Sequence, residues 1–102
     1  MTANAILRPA ALEDLDAIER FIQQDSPANA ARFVDDLLER CAALAENPLI
    51  GVARPDLGAG LRLFGVRRRV AIIYRPDPEG AVILRILYGG RDLQALFRDE
   101  AE

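Results

Sequence analysis

The feature that most narrows the fold is a change of hydrophobic period near residue 60. Upstream, apolar residues recur at three- and four-residue spacing. Leu12, Leu15, Ile18 and Ile22 do so in "AALEDLDAIERFIQQD". Phe33, Val34, Leu37, Leu38, Cys41, Leu44 and Ala45 do so in "DSPANAARFVDDLLERCAALAENP". Downstream, "LRLFGV" (61–66) alternates, while "VAIIYR" (70–75) and "AVILRILY" (81–88) are β-branched and apolar. A period of 3.6 draws one stripe along a helix, and a period of two sends side chains to opposite faces of a strand. The chain therefore reads as two amphipathic helices followed by three strands.

Punctuation sets the boundaries. "AILR" (5–8) reads as a short strand closed off by Pro9. The first helix carries Glu13, Asp14 and Asp16 in its early turns, where the helix dipole favours negative charge. Its stripe faces the core and leaves Phe21 off centre, partly exposed. Ser26 can cap the second helix, Pro27 suits its first position, and Asn47-Pro48 ends it. A break this short between helices forces an antiparallel hairpin. Asp36 and Arg40 form an i,i+4 pair on its exposed face. "IGVARPDLGAG" (50–60) holds three glycines and a proline, the composition of a loop. "RRR" (67–69) and "PDPEG" (76–80) are turns, and "DLQALFRD" near the end reads as a short helix.

The expected fold is α+β. A short N-terminal strand precedes a helical hairpin packed on a C-terminal antiparallel sheet, in the order β-α-α-β-β-β with a short C-terminal helix. At 102 residues this is one domain, spanning 1–102. Val70, Ile72 and Tyr74 lie on one face of their strand, and Ala71, Ile73 and Arg75 on the other. Both sets are largely apolar, so this strand is central and covered on both sides. A partner from outside the chain would supply the second cover.

Several function classes are excluded by what the chain lacks. The opening "MTANAILRPA" has neither the basic start nor the apolar stretch of a signal peptide. No apolar run approaches the roughly 20 residues of a membrane span, so no membrane partner and a cytoplasmic location are expected. The lone Cys41 allows no internal disulfide and reads as a small buried hydrophobe. There is no histidine and no lysine; all 13 basic residues are arginines. A histidine-assisted nucleophile is therefore absent, and no metal-ligand spacing or cofactor motif is present. "GAGLRLFG" leads into a strand, not a helix, so it is no dinucleotide loop.

What remains is arginine. Residues 1–53 hold four arginines against nine carboxylates, whereas residues 54–98 hold nine against four. Such a split suits a basic face that meets an anionic partner. Arg62, Arg67, Arg68, Arg69, Arg75, Arg85 and Arg91 cluster in sequence with Tyr74 and Tyr88. On a twisted three-stranded sheet Arg62, Arg75, Arg85 and Arg91 can converge near one concave edge. Arginines with aromatics mark phosphate sites or interfaces where guanidinium forks meet carboxylates.

The same elements resemble the RelE/ParE superfamily of toxins from bacterial toxin–antitoxin systems, over about residues 5–95. The resemblance rests on "DLDAI" in the first helix, "ANAARF" in the second, "PLIG" after it, Arg62 opening a strand, "IIYR", and the closing "LYGGRD" corner. It implies the fold above and one of two activities, or a member that binds its partner without toxic activity. RelE-type members cleave mRNA on the ribosome, and ParE-type members inhibit DNA gyrase. Cleavage through a 2′-hydroxyl needs a proton acceptor, and the corner offers Tyr88 where the pattern usually has histidine. A tyrosine serving near neutrality would have to ionise roughly three units below its ordinary range, about 4 kcal/mol. The ParE-like branch is therefore expected, with no catalytic residue, metal or cofactor, and with DNA gyrase as target.

The resemblance further implies a cognate antitoxin, ParD-like and of ribbon-helix-helix type, through which alone operator DNA is reached. Its acidic amphipathic segment would cover Phe21 and Leu57. The residues expected to meet antitoxin or target are Phe21, Leu57, Arg62, Arg69, Tyr74, Arg75, Arg85, Tyr88, Arg91 and Asp92. Gly89 and Gly90 are read as a bend that ends the last strand.

Overall fold

A computed structural model describes residues 3–89. Gly90, Arg91, Asp92 and the expected C-terminal helix lie outside the described residues. The elements run β1 (Asn4–Leu7), α1 (Pro9–Gln23), α2 (Pro27–Glu46), β2 (Val52–Ala53), β3 (Arg62–Val66), β4 (Val70–Asp77) and β5 (Gly80–Tyr88). Two helices on a sheet bear out the α+β expectation, and each predicted strand is present.

The sheet has five strands, in the order β1-β5-β4-β3-β2, where sequence reading expected a three-stranded meander. β1 lies parallel to β5, with Asn4 opposite Gly80 and Leu7 opposite Ile83, while the remaining pairs are antiparallel. Gly80 lets the strands meet. Its φ is +146°, and a Cβ there would run into the backbone of Asn4. β2 arises inside the Gly/Pro-rich loop, where pairing of Val52 with Leu63 and Ala53 with Arg62 overrides a composition that reads as coil.

Pro9 begins α1 instead of merely closing β1, since its missing N–H costs nothing at a first helical position. Asp14 consequently sits in the second turn, away from the helix dipole. Ser26 caps α2 as expected, its Oγ accepting the Asn29 N–H at 3.2 Å. The Asp36–Arg40 pair is also present, at 3.5 Å.

The main core lies between the hairpin and one sheet face. Leu15 and Ile18 of α1 and Leu37, Cys41 and Leu44 of α2 meet Ile72, Tyr74, Ile83 and Ile86 there. Leu12, expected in the buried stripe, is 53% exposed, because the buried line of α1 runs through Ala11, Leu15 and Ile18. The second apolar face of β4 is covered from within the chain. Ile73 and Leu87 pack under Leu57 and Leu61 of the loop that follows β2. An external cover is not needed at these residues, and Leu57 is buried instead of awaiting a partner.

Burial pushes the Cys41 thiol up from 9.0 to about 11 by desolvating its thiolate. A raised acid pKa means the folded state favours the protonated form. The resulting stability is complete below the ordinary thiol pKa and is lost as pH rises toward about 11. Native protein at pH 8 should therefore react with an aromatic disulfide reagent only as fast as it unfolds, and at once in denaturant. Rapid labelling without denaturant would contradict this burial.

Candidate functional site

Three constellations of polar and aromatic side chains stand on this frame. The first joins the α2–β2 loop to the sheet. Tyr74 is fully buried in β4, and its hydroxyl accepts the Gly51 N–H at 2.8 Å and donates to the Pro48 carbonyl at 2.9 Å. Arg62, one strand over and opposite Tyr74, donates to the carbonyls of Gly51 at 2.9 Å and Leu49 at 3.0 Å. A buried phenol with both hydrogen-bonding roles filled is a brace for backbone. "PLIG", Arg62 and "IIYR" thus form one lock on the loop, and Leu49 and Ile50 project outward from it, 69% and 61% exposed.

The second constellation replaces strand pairing. β1 leaves the edge of β5 at Leu7, and the Arg8 N–H still reaches the Ile83 carbonyl at 2.9 Å. Beyond that point a carboxylate takes over. Asp14 accepts the Ile86 N–H at 2.9 Å, and from Arg85 it accepts Nε at 2.8 Å and a terminal nitrogen at 3.0 Å. A register shift between Ile73 and Tyr74 accompanies this, with Ile73 opposite Arg85 and Tyr74 opposite Ile83. Side chains of the Asp14–Arg85 pair are only 15% and 14% exposed. Asp14 thus serves the strand and Arg85, not the helix dipole expected from its sequence position. The available signal was an acid one residue before the buried Leu15.

The third is an open groove of about 710 Å³ at the end of the sheet. Tyr88 lines it, 5.8 Å from Phe21 at a 53° tilt and 6.1 Å from Phe33 in an edge-on arrangement. Such tilted ring pairs add about 0.5–1.5 kcal/mol each beyond burial. Arg32, Arg67 and Arg69 line the rim. Arg67 makes one long contact with Asp36, at 3.4 Å, while being 61% exposed. Arg69 holds the corner through its backbone, its carbonyl accepting the Gly89 N–H at 2.9 Å. Gly89 has φ +86°, a bend that glycine takes without strain.

The turn that carries this rim is strained. Arg67 and Arg68 have φ of +51° and +58°, and the Arg69 N–H donates to the Val66 carbonyl across them. Two successive positive φ values favour Asn-Gly; each arginine costs about 1 kcal/mol there. Replacing the pair with Asn-Gly should raise stability by about 1 kcal/mol, roughly 5 °C in Tm, read by thermal unfolding. An unchanged or lower Tm would show that the arginines relieve their own strain.

The groove brings together Phe21, Arg69 and Tyr88 of the residues expected from sequence, and adds Arg32 and Phe33. It does not gather the others. Arg62 and Arg85 are bound to separate partners on strands that flank β4, so the expected convergence of arginines does not occur. Arg75 is exposed and shares a shallow depression with Arg62. Leu57 and Tyr74 are buried, and Arg91 and Asp92 lie outside the described residues. Among the described residues no cluster of His, Cys, Asp or Glu could hold a metal ion, and no helix is long and apolar enough to cross a membrane.

Residues 5–93 match the family described as "ParE toxin of type II toxin-antitoxin system, parDE". The chain belongs to the ParE toxin family. Among solved structures it is similar to a chain of the "Chromosomal ParDE TA system from P. aeruginosa". That match has a TM-score of 0.72 and 25% identity, over 87% of this chain and 98% of that one. It is also similar in fold to a chain of the "YoeB-YefM complex from Staphylococcus aureus". There the TM-score is 0.57 and the identity 17%, over 88% of this chain and 100% of that one. No curated protein sequence matches the chain. In this ParE-family member "DLDAI", "PLIG", Arg62 and "IIYR" hold the fold together, and the closing strand brings Tyr88 to the groove.

Proposed function

We propose that this ParE-family chain arrests growth by inhibiting DNA gyrase in the cytoplasm and is neutralised by a cognate, ParD-like antitoxin of ribbon-helix-helix type. The observation that carries the reading is the corner at Tyr88, whose ring is packed between Phe21 and Phe33 beside arginines. Ribonuclease chemistry at a 2′-hydroxyl needs a group that accepts a proton near neutrality. The chain has neither histidine nor lysine, and arginine holds its proton. Gripping a protein target requires only a rigid basic surface with aromatic anchors. No cofactor enters, and operator DNA is reached only through the antitoxin.

The charge division supports the antitoxin. An acidic amphipathic segment crossing the hairpin and the arginine turn would cover Phe21, which is 58% exposed, and pair with Arg69 and Arg75. Regulated expression in bacteria tests the target. Filamentation and a DNA-damage response should precede any fall in protein synthesis, and co-expressed antitoxin should reverse both. Immediate loss of translation with cleaved mRNA would move the activity to the ribosome.

A further inference from the structure

We infer that the groove around Tyr88 binds a nucleoside phosphate, with the base on the exposed face of Phe21 and the phosphate among Arg32, Arg67 and Arg69. This goes beyond the gyrase reading and stands independently of it.

Four observations converge on that class of ligand. The open groove, about 710 Å³, is large enough to seat one small molecule. Phe21 is 58% exposed and its ring touches Tyr88, so it presents an apolar face to the groove. Stacking a base on such a face contributes about 1–3 kcal/mol. Arg32 and Arg69 have no ion-pair partner among the described residues, and Arg67 has only its long contact with Asp36. Guanidinium groups left available around a cavity are matched to phosphate oxygens.

The fourth observation selects among anions. Asp25 also lines the groove, next to Ser26 and Asn29. A carboxylate accepts hydrogen bonds from ribose hydroxyls, which inorganic polyphosphate and an acidic peptide lack. Ser26 and Asn29 add a hydroxyl and an amide able to meet polar base edges. Aromatic floor, cationic rim and one acid together match the three parts of a nucleotide. No bond is made or broken in this binding.

A free nucleotide and one nucleotide of a single strand share this chemistry. Titration of the purified full chain separates the two, using ATP, inorganic triphosphate, adenosine, a 5′-phosphorylated tetranucleotide and a peptide of alternating Glu and Phe. Calorimetry gives affinities, and amide NMR shifts locate the site. ATP should bind saturably and move Asn29, Arg69 and Gly89, with triphosphate and adenosine each at least about tenfold weaker. Phe21→Ala and Arg69→Ala, both at exposed positions, should each weaken ATP about tenfold with unchanged circular dichroism. A tetranucleotide binding more tightly than ATP assigns the site to a strand, and the reverse order assigns it to free nucleotide. Triphosphate matching ATP, peptide binding where ATP does not, or no saturable ATP binding at millimolar concentration would each overturn the inference. None of these readouts depends on toxicity, so failure here leaves the gyrase test untouched.

Discussion

Asp14→Ala should lower the unfolding free energy by about 3 kcal/mol, measured by urea denaturation. One carboxylate accepts from both Arg85 and the Ile86 N–H, with little water at either side chain. Its removal leaves a nearly buried guanidinium without this counter-charge and a strand amide without its acceptor. Each such loss in a closed environment is costly, more so for the charge. Asp14→Asn separates the two. The amide oxygen can still accept from Ile86 while the charge is gone, so its cost should be intermediate. Pairing Asp14→Ala with Arg85→Ala should recover part of the loss, but not the share owed to the Ile86 amide. If the single change were worth under about 1 kcal/mol, the pair would be an ordinary surface ion pair.

Gly51→Ala should be nearly as damaging, at about 3 kcal/mol, from overpacking together with broken buried hydrogen bonds. A Cβ at this position would lie 2.5 Å from the Tyr74 hydroxyl and 2.9 Å from the Leu63 carbonyl. Neither neighbour can yield cheaply. The Leu63 carbonyl belongs to a paired strand, and the Tyr74 hydroxyl is held by Gly51 and Pro48. Tyr74→Phe probes the same lock more gently. It frees the buried Gly51 N–H without adding bulk, and should cost about 1–2 kcal/mol. Equal stability of Gly51→Ala and the parent protein in urea would show that the loop moves freely against the sheet.

The elements were legible because the hydrophobic period changes with secondary structure, and because Ser26, Pro27 and Asn47-Pro48 punctuate α2 through local chemistry. What was hidden depends on tertiary register. Two residues of β2 carry no period, and the parallel pairing of β1 with β5 joins positions over 70 residues apart. Tyr74 and Arg62 looked like site residues because aromatic and cationic side chains serve binding and bracing alike. Only burial and hydrogen-bond partners separate those uses. Asp14 was misassigned for a similar reason, since an acid early in a helix always has the dipole as a ready explanation. The groove was half visible. Phe21, Arg69 and Tyr88 were each singled out, but only the fold shows that Phe33 and Arg32 complete it.

The gyrase reading is tested most directly with purified components. The full chain is added to DNA gyrase, relaxed plasmid and ATP, with a parallel reaction of programmed ribosomes carrying end-labelled mRNA. Negative supercoiling should be lost in proportion to added protein and restored by the cognate antitoxin, while the mRNA stays intact. Undisturbed supercoiling together with mRNA cut on the ribosome would contradict the gyrase reading.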